Sequence, residues 1–363
     1  MNAVAFVLLR LGMKKLVLLS ALLLAGIASV NAQASVERPP QFVVMSFSNC
    51  TILERWAEFR DFADELDKIG ARVRFTYFVT GANFIPDASR NVYQGPRQKR
   101  GYGTLEFGGS KDDVRKRVVL ANEAHRQGHE IASHAVGHFN GQSWSPAEWS
   151  QELRSFRDAL ANVGPWNGMP DVALNSLPVR GFRAPFFLPG PGLFPALKAA
   201  GFRYDASGSA PAEEWPQKLD GTWRYRTGLV RIRAYNKVTL AGDYNFFAIQ
   251  SRSIGQPLRD DRFDFDPKHR ARFRDQMVET YLEYFRANYS GNRAPLHIGH
   301  HFLDYGSGIY REALKIFARR VCGLPEVRCD TYAALSDFMD RQRPETLAAY
   351  RKGDFPRAAA PAL

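Results

Sequence analysis

Two short apolar runs with a helix between them constrain this chain more than any other feature. Gln41 to Phe47 is almost continuously apolar, as a strand buried on both faces must be. Leu53, Trp56, Phe59, Ala63 and Leu66 then recur at helical spacing, predicting a helix over about 52–69 that ends at Gly70. Val73 to Val79 is a second strand. Strand, helix and strand with tight joints form a βαβ unit, which makes the strands parallel. The alternation continues with a helix at 111–127, a strand at 130–133 and a helix at 149–163. A short helix at 193–200 and a strand at 202–205 follow, then a helix at 270–288 and a strand at 295–301. The pattern closes with a helix at 310–320, a strand at 329–332 and a helix at 333–341. Residues 84–110, rich in Gly, Pro, Arg and Gln, read as a long surface loop, and 206–260 as irregular to β. No linker separates two halves. The expectation is a single α/β domain over 35–345, a barrel-like β/α fold, with a loose Arg, Pro and Ala tail over 346–363. In such a fold functional side chains belong where strands end.

The first 34 residues read as a secretory signal peptide. Lys14-Lys15 precede the apolar run Leu16 to Ile27, and Ala32-Gln33-Ala34 supplies a small-x-small cleavage site. The run is short of the ~20 residues of a membrane span, so the expectation is an exported protein, periplasmic or secreted, with no stable span after cleavage. Cys322 and Cys329 flank a six-residue loop suited to a disulfide in an oxidising compartment, leaving Cys50 as a small core residue. The formal net charge of +12 comes from scattered residues. It suits an anionic envelope surface, and no basic helix or stacking-aromatic pattern marks a nucleic-acid binder.

The chemistry concentrates in four segments. Residues 128–138, Gly-His-Glu-Ile-Ala-Ser-His-Ala-Val-Gly-His, end a strand and carry His134 and His138, four apart. Two neutral imidazoles so spaced reach one divalent metal if the backbone between them is tightly turned. The others are Arg183-Ala184-Pro185-Phe186, then Tyr204-Asp205 with Trp215 after it, and Leu296-His297-Ile298-Gly299-His300-His301. In the last, strand period puts Leu296, Ile298 and His300 on one face and His297, Gly299 and His301 on the other. The apolar face packs under helices, so His301, at the strand's end on the inner face, is the better candidate for catalysis, ahead of His300.

Together these segments resemble the polysaccharide deacetylase family (carbohydrate esterase family 4) over roughly residues 41–340. The resemblance implies a distorted (β/α) barrel that removes acetyl groups, as amide or ester, from a chitin-like, peptidoglycan or exported polysaccharide. It implies a divalent metal, often zinc, held by two His and one Asp, with a second Asp as base and a His as acid. Residue by residue it places the metal pair at His134 and His138 and the acid at His301. It makes Arg183 the orienter of the catalytic carboxylate, Pro185 and Phe186 the groove wall, and Tyr204, Asp205 and Trp215 the acetyl-pocket lining.

The first motif departs from the family. Where Thr-Phe-Asp-Asp is usual, this chain reads Ser46-Phe47-Ser48-Asn49. Ser48 stands at the base and Asn49 at the metal carboxylate. A serine hydroxyl does not take a proton near neutral pH without its own activating base, and an amide oxygen brings no charge to a metal. Three readings follow. One is a deacetylase with an acid relocated to Asp205, Asp243 or Asp304. Another is a catalytically inactive relative that binds envelope or exported polysaccharide, with Trp215, Trp223, Tyr235 and Tyr244 as sugar-stacking aromatics. The third is a metal-free esterase with Ser48 as nucleophile, which lacks the Gly-x-Ser-x-Gly elbow.

Overall fold

The structure, a computed structural model, describes residues 36–170, 172–174, 177–256, 258, 264–359 and 361. The expected signal peptide lies outside them. The strands are β1 (Gln41–Ser48), β2 (Phe75–Val79), β3 (Glu130–Ser133), β4 (Gly181–Phe182), β5 (Tyr204–Asp205) and β6 (Ser209–Pro211). They continue as β7 (Gln217–Leu219), β8 (Thr222–Arg224), β9 (Thr227–Ile232), β10 (Lys237–Leu240), β11 (Leu296–His301) and β12 (Val327–Cys329). The helices are α1 (Leu53–Lys68), α2 (Lys111–Arg126), α3 (Pro146–Ala161), α4 (Val163–Asn167) and α5 (Leu193–Ala199). After them come α6 (Asp243–Ser253), α7 (Pro267–Ser290), α8 (Ile309–Val321), α9 (Tyr332–Asp340) and α10 (Pro344–Lys352). Among the described residues no helix is long and apolar enough to cross a membrane.

The main sheet runs β11-β1-β2-β3-β4-β5-β8-β7, parallel except at β7, and β12 pairs the start of β1. A smaller sheet runs β10-β9-β6. The main sheet curls. Arg183, just after β4, bonds to Ser46 and Ser48 on β1, three strands away. Across a flat sheet those strands would lie ~14 Å apart. The strand period explains two apolar layers. Val43, Met45 and Phe47 face the helices and pack with Phe59 and Phe75, while Phe42 and Val44 face inward with Phe78, Tyr204, Tyr225 and Tyr332. Gly181 is required for this interior, because a Cβ there would sit 1.7 Å from the Tyr204 ring.

Three expectations change. Part of the stretch read as irregular to β, residues 206–260, is the helix α6. The last strand ends at Cys329 rather than running to Tyr332, because Thr331 caps α9, its hydroxyl accepting from the Ala334 N–H at 3.1 Å. The tail is not loose from 346 onward. It forms α10, whose Tyr350 stacks on Trp215 with ring centroids 5.2 Å apart. A disulfide joins Cys322 at the end of α8 to Cys329 in β12. Cys50 is buried, its thiol pushed up by burial and turned to the Phe47 carbonyl.

Candidate functional site

Because the central strands are parallel, their C-terminal ends form one rim. Ser48 ends β1, His134 follows β3, Arg183 follows β4, Asp205 ends β5 and His301 ends β11. Ser48 and His301 are register partners on adjacent strands. On β11, His300 points to the helices, 2.9 Å from the Tyr281 hydroxyl, and His297 lies inside the barrel, stacked on Tyr332.

His134 and His138 face one another with ring centroids 5.0 Å apart. Nδ1 of His134 lies 2.8 Å from the Arg183 carbonyl oxygen, so that nitrogen donates and Nε2 keeps its lone pair. The Thr104 hydroxyl gives its hydrogen to the His138 carbonyl at 2.5 Å, leaving Thr104 Oγ1 to accept from His138 Nδ1 at 3.3 Å. Both rings therefore keep an unprotonated Nε2. Burial, then the other ring, pushes His134 well below the usual histidine range. Burial, then the charge of His301, pulls His138 down to about 4. Both are neutral at pH 7.

Arg183 is fully buried, and among the described residues it hydrogen-bonds to no carboxylate, Asp205 being its carboxylate neighbour through charge alone. Its Nη2 donates to Ser46 Oγ at 2.8 Å, its Nη1 to Ser48 Oγ at 3.3 Å and its Nε to the Ala206 carbonyl at 3.2 Å. Its guanidinium lies 4.0 Å from the centre of the Phe78 ring. Burial pulls its pKa down. Asn49 turns sharply out of β1 at φ 52°, and its Oδ1 is buried without a hydrogen-bond partner. The available metal donors are thus two imidazole nitrogens and one amide oxygen. Among the described residues no three His, Cys, Asp or Glu side chains gather to hold an ion. That neutral set is one carboxylate short of a His₂–carboxylate site and does not fit a tightly held zinc ion.

The acid side is built differently. Asp243, at the start of α6, is buried and grips His301 twice: Oδ2 accepts the backbone N–H at 2.8 Å and Oδ1 accepts Nδ1–H at 2.7 Å. Burial alone would raise the Asp243 carboxyl, but the charges of His301 and His300 and the bonds from His301 hold it below the usual range. His301 is partly exposed, with Tyr305 6.1 Å away between ring centroids.

The rim carries strain and exposed rings. Asn49, Ala135, His138, Phe186 and Phe187 all have φ between 52° and 61°. Such left-handed conformations cost non-glycine residues of order 1–3 kcal/mol each and cluster at functional sites. Phe186 is 54% exposed, its ring 4.8 Å from that of His138, and Tyr244 is 44% exposed beside Tyr305. Pro185 is buried behind Phe186. A cleft of about 470 Å³ opens at Asn49 and Thr104, lined also by Thr51, Glu106, Leu303 and Asp304 among others.

Three sequence candidates are engaged away from the histidine pair. Trp215 is not in an acetyl pocket. It is buried against Tyr350, its indole N–H bonded to the Asn292 carbonyl at 2.8 Å. Asp205 is buried and receives the Ser207 hydroxyl at 2.6 Å, with burial pushing its carboxyl up to about 6. The positive charges of Arg224 and Arg183 act against that rise. Asp304 is bound by both Arg55 and Arg311. Thr104 escaped the sequence reading, as loop residues without a motif do.

No protein-family model and no curated protein matches the chain. In three dimensions it is similar to a candidate polysaccharide deacetylase from Mycobacterium smegmatis, at 16% identity and TM-score 0.49, over 91% of this chain and 98% of that one. It is also similar to a carbohydrate esterase family 4 pseudoenzyme from Bacillus anthracis, at 11% and 0.42, over 82% and 66%. A third similar structure is a variant peptidoglycan deacetylase from Bacillus subtilis, at 10% and 0.42, over 85% and 96%. Its structural neighbours include polysaccharide deacetylases. These are likenesses of fold at low identity, and the chemistry of the rim is read from its own residues.

Proposed function

We propose that the chain is an exported polysaccharide deacetylase-like protein that binds an acetylated polysaccharide at the β-strand rim without turning it over by the family's metal-and-base route. One observation carries this: the Arg183 guanidinium rests on the Ser46 and Ser48 hydroxyls, where a carboxylate at position 48 would draw a proton from water. General base help is worth about 10²–10⁴ in rate. Binding is supported by the cleft at Asn49 and Thr104, the exposed rings of Phe186 and Tyr244, and the left-handed backbone at Asn49, His138 and Phe186. Export rests on residues 1–34 of the sequence, and the Cys322–Cys329 disulfide agrees with an oxidising compartment.

The His301–Asp243 pair favours a second reading, acetyl hydrolysis with a weakly held divalent metal on His134, His138 and Asn49. One experiment separates them: acetate release from acetylated chito-oligosaccharides, with binding of the same oligosaccharides measured by calorimetry. Binding without acetate supports the first reading. Acetate release abolished by His134→Ala supports the second and sinks the first.

A further inference from the structure

The loop that carries the two histidines is held from both sides. Its carbonyls at Ala135 and Gly137 accept from the N–H groups of Gly81 at 2.8 Å and Thr104 at 2.9 Å. Its N–H groups at Val136 and Gly137 both point to one atom, Oε1 of Glu152 on α3, at 2.8 and 3.0 Å. The other oxygen of Glu152 accepts the Tyr93 hydroxyl at 2.7 Å.

Glu152 is out of place by composition. It lies fully buried on the apolar face of α3 with Trp149, Leu153 and Phe156. Its neighbours there are neutral hydrogen-bond donors, and burial pushes its carboxyl up while the Gly137, Tyr93 and Val136 donors pull against it. A carboxylate taken out of water costs several kcal/mol unless its lone pairs are satisfied. A helix needing only to pack would carry a leucine here. What the carboxylate supplies is an acceptor for two consecutive peptide N–H groups in a strained turn, between Ala135 at φ 61° and His138 at φ 54°. Tyr93 closes the arrangement from the far side. A Cβ on Gly137 would lie 2.6 Å from the Tyr93 hydroxyl and 2.2 Å from the Phe139 ring, so the turn fits only glycine at that point.

We infer that Glu152, braced by Tyr93, is the positioning residue of this site: by gripping the Val136 and Gly137 N–H groups it sets the separation and direction of the His134 and His138 rings. It touches no ligand itself. The inference deepens the reading of the rim as a polysaccharide-binding centre and rests on it for its ligand. Its first readout, however, needs no ligand.

The test uses the full mature chain with Glu152→Gln, Glu152→Asp and Glu152→Ala, followed by ¹H–¹⁵N spectra of the histidine side chains and by chito-oligosaccharide calorimetry. Glutamine keeps one oxygen for both N–H groups and is expected to restore wild-type His134 and His138 signals. Aspartate keeps the charge but withdraws the carboxylate by about 1.5 Å. It is expected to shift or broaden those two signals while His297 and His300 stay put, and to weaken binding about 10–100-fold, the usual cost of losing an orienting partner. If Glu152→Ala does not fold, the Asp and Gln pair decides. Wild-type signals for His134 and His138 in folded Glu152→Asp overturn the inference, as does a glutamine variant as disturbed as the aspartate one. If wild-type protein binds no oligosaccharide, the binding-centre reading falls, and the spectra still decide the role of Glu152.

Discussion

Arg183 Nη2 lies 2.8 Å from the hydroxyl oxygen of Ser46, whose own hydrogen goes to the Ile298 carbonyl at 3.0 Å. A buried full charge is thus held by neutral oxygens and aromatic faces, an arrangement that wants a carboxylate and has a serine beside it at position 48. Ser48→Asp is expected to stabilise the fold by pairing with Arg183. Removing the cation as Arg183→Met in that background should cost about 3–5 kcal/mol, because it strands a buried carboxylate. In the wild-type background the same change should cost far less. A double-mutant cycle by urea unfolding with coupling near zero would show that position 48 does not face Arg183 as described.

Metal affinity should follow the charge at position 49. Wild-type protein, dialysed after loading with zinc, is expected to keep less than one ion per chain, since Asn49 offers only a neutral oxygen. Asn49→Asp should raise retention to near one. With Ser48→Asp added, acetate release should rise by about 10²-fold or more, the lower end of what a general base contributes. Elemental analysis and acetate assay check the two steps separately. A stoichiometric ion surviving dialysis in the wild type contradicts the donor count argued above.

Asp243 and His301 make a pH-dependent contribution of known sign. The Asp243 carboxyl is held below its usual value in the fold, so its stabilisation is present above the unfolded pKa and lost as pH falls through the folded one. Asp243→Asn should therefore cost about 1.5–3 kcal/mol at pH 7, in the range of charge-assisted hydrogen bonds, and progressively less below pH 4. Equal destabilisation at pH 7 and pH 3 would mean that the charge contributes nothing.

Glu130 acts in the opposite sense. It is buried at the start of β3, accepting from Thr76, Tyr204 and the Ala333 N–H, yet burial dominates and raises it to about 7. Its proton favours the folded state, an advantage complete at low pH and lost as pH rises from the unfolded value near 4.5 through about 7. Glu130→Gln should remove that fall in stability, with a gain at pH 8 of at most ~3 kcal/mol. Unfolding curves at pH 5 and pH 8 compare the slopes.

Phe186 is exposed and conformationally strained, a combination that serves ligands better than stability. Phe186→Gly should leave stability unchanged or raise it by a fraction of a kcal/mol through relief at φ 59°. Oligosaccharide affinity should drop up to about tenfold, the worth of one aromatic contact. A stability loss above 1 kcal/mol with unchanged affinity would assign the ring to the core.

Much of the frame was legible because burial leaves a period. β1, α1, α2, β3 and β11 fall within a few residues of where apolar spacing puts them, and parallel pairing follows from their alternation. The inner face of β11, and with it the placement of His301 on the rim, follows from the period of two. Trp215 was misplaced because an aromatic's role depends on what packs over it, and α10 is far away in sequence. Asp243 could be named only as one of three acids, since a helix starting at Gly242-Asp243 hides in an aromatic-rich stretch. Glu152 did leave a trace: a carboxylate between Trp149 and Leu153 on an otherwise apolar helix face.

β1 is the second strand of the sheet order, yet its partner on one side is β11, some 250 residues later, and β12 after that. Local contacts therefore cannot complete the sheet, and a chain of such high contact order folds slowly. A nascent chain stopped before Leu296 lacks the strand that covers one edge of β1, together with His301. Assembly of the site must wait until synthesis has passed His301.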